Sequence, residues 1–418
     1  MSELNLPPII ILDNGGGYLK AGFSSDKIPL ITIPSLIGRQ ILYYGEKIDT
    51  SNFLSNSKYK DIIIGDEIIP YYSLLDLSNP IEEGIIKNED DLVKLWDYAI
   101  NMKLKISDPS NYKVIVTELP INPLDNKIKI CEVLFEKIGV NAINIEPQSK
   151  LSLFSHGIDT GTVLDCGDDI SYCIPISNGI ILRNNIEKLN IGGRNITEYL
   201  INLLKKKGYF FNSISDFELV KEIKEKLCFV SNDIISDREI EKNTTFFNSF
   251  YLLPDGSRIR ISNEKFEAPE ILFNPYLIGK EVEGIQNLVY KSIINSPIDT
   301  RICLFNSITL SGGSTLFPGF VTRLENEIKS IYKTKNLKED KEKNIKMNIN
   351  VLDHPNRKYS VFIGAAIVGN YYNNTESDNY WISRDEWFEC EYNIENNKES
   401  LIKRKCKNYF KDAFIMKE

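Results

Sequence analysis

One arrangement limits the fold of this chain more than any other: a strand–turn–strand pattern that occurs twice. Near the start, the apolar run Ile9–Leu12 enters Asp13-Asn14-Gly15-Gly16-Gly17 and leaves through Tyr18-Leu19-Lys20-Ala21-Gly22. Later, Val163-Leu164 enters Asp165-Cys166-Gly167-Asp168-Asp169 and leaves through Ile170-Ser171-Tyr172-Cys173-Ile174. Each reads as an apolar strand, a tight turn with an acid at its entry and glycine inside it, and a second strand. Two such hairpins predict two similarly built halves. No short repeat is evident, which disfavours a solenoid or propeller.

Amphipathic helices alternate with the strands. Residues 90–104 place Leu92, Leu95, Trp96 and Ala99 on one face, with Asn88 or Asp90 as the cap. Residues 124–138 gather Ile128, Cys131, Leu134 or Phe135, and Ile138, and Gly139 is the expected stop. Residues 320–332 carry the stripe Phe320, Leu324, Ile328, Ile331. This alternation predicts an α/β architecture. The almost wholly polar stretch 334–347 predicts a solvated insertion or mobile loop.

The turns suggest a chemistry. A triphosphate needs backbone N–H donors close by and a metal to neutralise it, and glycine lets the main chain approach. Gly15, Gly16 and Gly17 supply this in the first hairpin and Gly167 in the second. Asp13 and Asp165 stand where each strand enters its turn, and two such carboxylates suit Mg²⁺, directly or through water. Either hairpin alone would read as a plain connection; the pair favours a site. A third turn, Ser311-Gly312-Gly313-Ser314-Thr315-Leu316-Phe317-Pro318-Gly319, precedes the helix at 320 and suits a ribose or phosphate edge, or is simply a tight connection. No GxxxxGK[ST] P-loop surrounds it.

Composition narrows the remaining classes. The 418 residues carry 50 basic and 58 acidic side chains, a net charge of −8, which argues against nucleic-acid binding by bulk charge. Only His156 and His354 are present, which nearly excludes a His-rich metal site and leaves few candidates for a general base near pH 7. Seven cysteines without a CxxC pair fit reduced thiols. No apolar run approaches the roughly 20 residues of a membrane span, and MSELNLPPII is unlike a signal peptide, so an intracellular protein is expected.

The blocks DNGGGYLKAGF, NPIEEGIIKNEDDLVKLWDYAI, TELPINPLDNKIKI, VLDCGDDISYCIPI, IKEKLCFV, LPDG, FEAPEILFNPYLIG, LSGGSTLFPGF and RKYSVFIGAAI follow one another in the order found in actins. The chain resembles the actin superfamily from about residue 9 to 385. Several blocks, and the position of the polar insertion, resemble an actin-related subunit of the branching nucleation assembly more than conventional actin. The resemblance implies the actin-like ATPase fold: two related ribonuclease-H-like α/β domains around a nucleotide cleft. The first would comprise 1–155 and 360–418, with 35–79 as its small subdomain. The second would comprise 156–359, with 192–280 as its small subdomain.

The resemblance also implies site residues. Asp13, Gln148 and Asp165 match positions that arrange Mg²⁺ and its waters, and Gln148 would orient the attacking water. Lys20 matches the lysine facing the β- and γ-phosphates of ATP or ADP. Lys221, Lys224 and Glu225 match positions around adenine and ribose. Asp168 and Gly193 line the ribose, and Gly313, Ser314, Leu316, Phe317 and Lys358 match the adenosine pocket. Gly16 stands where a hydroxyl residue is usual, Asn195 where an aspartate is common, and Glu83 where a basic or neutral residue is usual. Asp169 replaces a glycine; facing the terminal phosphate at about 5 Å it would cost up to ~3 kcal/mol at a dielectric near 20, and facing solvent it would cost little. Tyr172 replaces the histidine near the attacking water, and a phenol is a poor proton relay at pH 7. ATP and Mg²⁺ binding with slow or absent hydrolysis is therefore expected.

By the same resemblance, Asn274–Gly284 corresponds to the loop that contacts the opposite strand in actin. Phe154, Ser155 and Gly157 correspond to part of the hydrophobic contact cleft, with Lys150 and Asp159 adding charge beside it. The implied function is structural. It is an ATP-binding subunit of an actin nucleation and branching assembly, partnered by a second actin-related subunit, further subunits and actin. It would be cytoplasmic and cytoskeletal, with the nucleus as the other compartment. The alternatives are a divergent self-polymerising actin, a nuclear actin-related subunit of a chromatin-remodelling complex, and a sugar or acetate kinase of the same fold. Segment 39–62, the insertion and the stretch 386–418, with Lys403-Arg404-Lys405, weigh against the first.

Overall fold

The computed structural model describes residues 8–40, 62–336, 348–374, 380–392 and 398–406. Residues 41–61 of the diverged segment, 337–347 of the polar insertion, and 393–397 and 407–418 of the C-terminal stretch lie outside these. The described residues form two units, one from 8–157 and 359–406, the other from 158–358. No helix among them is long and apolar enough to cross a membrane.

In the first unit, β1 (Ile10–Asn14) runs antiparallel to β2 (Tyr18–Phe23), and β2 to β3 (Ile31–Pro34). A separate three-stranded sheet sets β4 (Ile37–Gln40) between β5 (Ile62–Ile64) and β6 (Leu75–Ser78), and β7 (Ile81–Glu82) pairs with β8 (Ile85–Ile86). On its other side β1 is parallel to β9 (Lys113–Glu118), and β9 to β10 (Ala142–Pro147); the short strand Ile382–Ser383 closes the sheet. The parallel strands VIVTE and AINIEP are buried throughout, as expected where both faces of a sheet are covered.

The helices form where their caps and stripes direct. The Asn88 side chain accepts the Asp91 N–H and starts α1 (Glu89–Asp97), which continues as a wider turn to Lys103. Helix α2 (Leu124–Glu132) continues through Val133–Ile138 and stops at Gly139, whose φ of 84° is the left-handed conformation glycine adopts without strain. Helix α3 (Gln148–Phe154) begins directly after β10. The helix Ser360–Asn374 crosses α3 at Gly364, where a Cβ would lie 1.8 Å from the Leu151 carbonyl oxygen. Trp387 stacks on Phe135 with ring centres 5.6 Å apart, bringing the C-terminal helices onto the core.

The second unit repeats the order of strand relations. Strand β11 (Gly161–Cys166) is antiparallel to β12 (Ser171–Ser177), and β12 takes β13 (Ile180–Ile181) and β14 (Glu187–Leu189) on its far side. Helices α4 (Gly193–Lys206), α5 (Ile214–Leu227) and α6 (Ile234–Asn243) follow, then the ribbon β15 (Ser249–Leu252) and β16 (Arg258–Ile261). Helices α7 (Ile285–Ile294) and α8 (Ile298–Asn306) lead to β17 (Ile308–Ser311), which is parallel to β11. After α9 (Phe320–Asn336), β18 (Val351–Leu352) runs parallel to β17. The core of this unit joins Leu164, Leu200, Val220, Val289, Leu310 and Leu324. Helix α9 is longer than the stripe 320–332 suggests. Ile331 and Tyr332 still pack on the core, and Thr334 Oγ1 donates to the Ser330 carbonyl, so the first polar residues of the expected loop are helical.

Candidate functional site

The geometry of the first hairpin follows from its three glycines and one buried acid. The Gly15 N–H donates to the Tyr18 carbonyl at 3.1 Å, and a Cβ on Gly15 would meet that oxygen at 2.7 Å, so the turn requires glycine there. All three glycine carbonyls accept from protein donors. Gly15 O takes the Ser35 hydroxyl at 2.9 Å, Gly16 O the Asn79 amide at 2.9 Å, and Gly17 O the Ser35 N–H at 3.1 Å. With the carbonyls engaged, the amides of Gly16 and Gly17 form the face suited to an anion.

Asp13 is 1% exposed, and its carboxylate is a hub. Oδ2 takes the Lys20 ammonium at 2.8 Å from the opposite position on β2. Oδ1 takes the Thr117 hydroxyl at 2.8 Å and the Gln148 side-chain amide at 3.3 Å. The same Gln148 Nε2 lies 3.1 Å from Asn14 O and 3.2 Å from Thr117 Oγ1, and the Asn14 N–H donates to Thr117 Oγ1 at 3.2 Å. Trp96 Nε1 donates to Asn14 Oδ1 at 2.9 Å. Asp13, Lys20 and Gln148 are thus brought together, at the C-terminal ends of β1, β9 and β10. Thr117, Ser35 and Asn79 complete the arrangement without having been singled out by the sequence, as does Trp96, which the sequence placed only on the apolar face of a helix. The one local signal for Thr117 is a polar residue ending the apolar run VIV.

The second hairpin has the same backbone design. Gly167 N donates to the Ile170 carbonyl at 3.0 Å, while Gly167 O accepts the Gly193 N–H at 3.0 Å and the Ser314 hydroxyl at 2.8 Å. Asp168 O accepts the Arg194 N–H at 2.8 Å, and the Lys224 ammonium donates to Gly193 O at 2.8 Å. Gly167, Asp168, Gly193, Lys224 and Ser314 therefore converge. Burial pushes the Lys224 ammonium below its usual range, and the neighbouring Asp168 and Glu225 carboxylates only partly offset this. Asp165 lies opposite Tyr172 in the ladder; Tyr172 is buried, with the Lys188 ammonium 6.0 Å from its ring centre. Cys166 is fully buried, and burial pushes its thiol up to about 12.

Asp169 follows neither of the two expected courses as a lone charge. Its Oδ1 lies 3.5 Å from Arg194 Nε, and Asp168 Oδ2 lies 3.6 Å from Arg194 Nη2, so one guanidinium pairs with both acids and offsets one of their two charges. Arg194 was not singled out by the sequence. Asn195, beside it, accepts the Gly192 N–H at 3.1 Å and so caps α4 in the place of an aspartate.

The other candidates are more dispersed. Lys221 pairs with Glu218 at 3.1 Å, Glu225 is exposed, and Lys358 is half-buried in the short turn Arg357–Tyr359. After Gly313, Leu316 is 39% exposed and Phe317 is buried, leaving the Leu316 side chain available to a flat apolar ligand. A Cβ on Gly313 would meet no atom within 4 Å.

The family model described as Actin matches residues 7–407. Actin-related protein 2 of Saccharomyces cerevisiae is 40% identical over 380 residues, covering 91% of this chain and 95% of that one. Actin-related protein 2 of Schizosaccharomyces pombe is 39% identical with the same coverages. Actin-related protein 2 of Drosophila melanogaster is 40% identical over 381 residues, covering 91% of this chain and 95% of the other.

Proposed function

Because this chain belongs to the actin family, we propose that it is an ATP-binding structural subunit of an actin filament nucleation and branching assembly. The observation that carries this reading is the near end-to-end similarity to proteins named Actin-related protein 2. Its partners are a second actin-related subunit, the other subunits of the assembly, and actin, in the cytoplasmic cytoskeleton. Nucleotide occupancy biases the population of an assembly-competent state. In this reading residues 1–155 with 360–418, and 156–359, are the two actin-like domains, and 35–79 and 192–280 their small subdomains.

The residues fit a nucleoside triphosphate with a divalent cation. Two hairpins have engaged carbonyls and outward amides, a cradle at Gly15 excludes any Cβ, and the hard oxygen donors Asp13 and Asp165 suit Mg²⁺. Lys20 and the amides of Gly16, Gly17, Asp168 and Asp169 receive phosphate oxygens. Lys224 and Ser314 steady the ribose side, and Leu316 and Phe317 flank the base, with Lys221, Glu225, Gly313 and Lys358 around it. When bound, Mg²⁺ supplies charge neutralisation at the phosphates. Gln148 holds a water through its neutral amide, and Tyr172 is only a weak proton relay at pH 7, so hydrolysis is slow.

Affinity purification from cells tests the assembly. Recovery of a second actin-related protein with branching partners is expected; recovery of chromatin ATPases, or sedimentation of the pure chain as filaments with ATP and Mg²⁺, overturns it. Single-turnover hydrolysis as fast as that of a histidine-bearing relative would dismiss the slow-hydrolysis assignment.

A further inference from the structure

The ribbon β15–β16 in the second unit presents an unpaired strand edge. The Leu253 N–H donates to the Ser257 carbonyl at 2.9 Å, which makes 253 and 257 a hydrogen-bonded pair. By alternation, the pairs Leu252–Arg258 and Phe250–Arg260 are non-bonded, and their N–H and C=O groups point away from the ribbon. The Arg260 N–H confirms this phase, because it donates outward to the Tyr209 hydroxyl at 3.2 Å. On the β15 side, the backbone groups of Phe250 and Leu252 therefore face out, and no strand other than β16 pairs with β15 among the described residues.

The side chains on this edge are those of an attachment site. One face of the ribbon is anchored: Ile259 and Ile261 are buried, and Tyr251 donates to Glu222 at 2.9 Å. The other carries Phe250 and Leu252, 69% and 61% exposed, with Arg258 and Arg260 opposite them. Among the described residues neither arginine has a carboxylate within salt-bridge distance; Arg260 Nε is held by Asn248 Oδ1 at 3.0 Å. Exposed edges are ordinarily blunted by charge, proline or a bulge, and the sequence Ser-Phe-Tyr-Leu of β15 has none of these.

We propose that β15 accepts an antiparallel strand from a partner protein, an extended acidic segment in which glutamates alternate with apolar residues. Strand addition satisfies the outward backbone groups. Glutamates opposite Phe250 and Leu252 lay their stems over those side chains and turn their carboxylates toward Arg260 and Arg258, two strand spacings or ~9.6 Å away. A second copy of this chain is disfavoured, because antiparallel pairing of two β15 edges would gather four arginines on one face. The chain's net charge of −8 opposes an acidic ligand in general, so a preference for one must arise locally.

The test uses a labelled peptide, Glu-Val-Glu-Val-Glu-Val, titrated into the full chain by fluorescence anisotropy. It is expected to bind at least tenfold more tightly than its Lys-Val counterpart. N-methylation of the glutamates, whose N–H groups would face β15, should weaken binding at least tenfold, whereas N-methylation of the valines should not. The exposed double variant Arg258→Glu, Arg260→Glu should reverse the charge preference. No binding of the acidic peptide, equal binding of both charges, or indifference to N-methylated glutamate overturns the proposal, and none of these depends on a variant folding. Self-association lost on Phe250→Glu, without peptide binding, would assign the edge to a second copy and equally overturn it.

Discussion

Replacing Thr117 by valine should unfasten the first hairpin without leaving a cavity. Valine matches threonine in shape, so the change isolates the hydroxyl. That hydroxyl donates to the Asp13 carboxylate at 2.8 Å and accepts the Asn14 N–H at 3.2 Å, in surroundings where Thr117 is 2% and Asp13 1% exposed. A bond to a charged group contributes roughly 1.5–3 kcal/mol, and a buried N–H left unmade costs about 1–3 kcal/mol. Gln148 retains its bonds to Asp13 and Asn14, so it adds little. The expected loss is about 3 kcal/mol in the first unit. All three tryptophans, Trp96, Trp381 and Trp387, lie in that unit, so tryptophan fluorescence reports its unfolding alone. With an m-value of about 3 kcal/mol per molar urea, the midpoint should fall by about 1 M. Thr117→Ser keeps the hydroxyl and loses one methyl, so it should lower the midpoint by only about 0.3 M. A valine variant as stable as wild type, or a serine variant as damaged as valine, would refute the argument that the hydroxyl holds the hairpin.

Arg194→Met should weaken ATP binding about fivefold, because a pair at 3.5 Å in water-like dielectric is worth about 1 kcal/mol and the guanidinium is more than a third exposed; isothermal titration of the double variant Arg194→Met, Asp169→Gly should recover most of that loss. Burial alone would raise the Asp66 carboxyl, but the Lys103 and Tyr98 bonds outweigh it and hold the group below its usual value. A lowered acid stabilises the fold above its unfolded pKa of about 4 and loses that contribution as pH falls through the folded value, so fluorescence-monitored melting of Asp66→Asn should show less acid sensitivity below pH 4 than wild type, and lower stability at pH 7. Gly364→Ala places a Cβ 1.8 Å from a backbone oxygen at the crossing with α3, and should yield aggregated protein or a melting temperature lowered by several degrees, read by calorimetry.

What the sequence disclosed was local, and what it concealed was distant along the chain. The two hairpins, the Asn88 cap and the Gly139 stop depend on neighbours within a few residues, and each residue type carries its own conformational signature. Lys20 was singled out only through the family resemblance, although antiparallel pairing across the tight turn is what places it opposite Asp13. Thr117 lies 104 positions from Asp13 and reaches it only because β1 and β9 are parallel neighbours, which no local pattern specifies. Arg194 was missed for the same reason. Its approach to Asp168 and Asp169 is set by the bonds from Gly193 and Arg194 N–H to the Gly167 and Asp168 carbonyls, a tertiary contact that changes Asp169 from an unbalanced charge into a paired one.

Those backbone bonds also explain how one hairpin design can serve two halves with different side chains. In each, the protein takes the turn's carbonyl oxygens for itself: Ser35 and Asn79 in the first unit, Gly193, Arg194 and Ser314 in the second. A peptide group whose carbonyl is held inward turns its N–H outward, so the anion-accepting face is fixed by the scaffold before any ligand arrives. The acids are then paired locally, Asp13 with Lys20, and Asp168 and Asp169 with the single Arg194. The first hairpin therefore presents its amides beside a neutral pair, whereas in the second Arg194 offsets only one of the two acidic charges it meets. Removing either cation should weaken an anionic ligand through the acid it exposes, and deleting that acid as well should restore much of the loss, whereas a cation acting only by direct phosphate contact would show no such rescue.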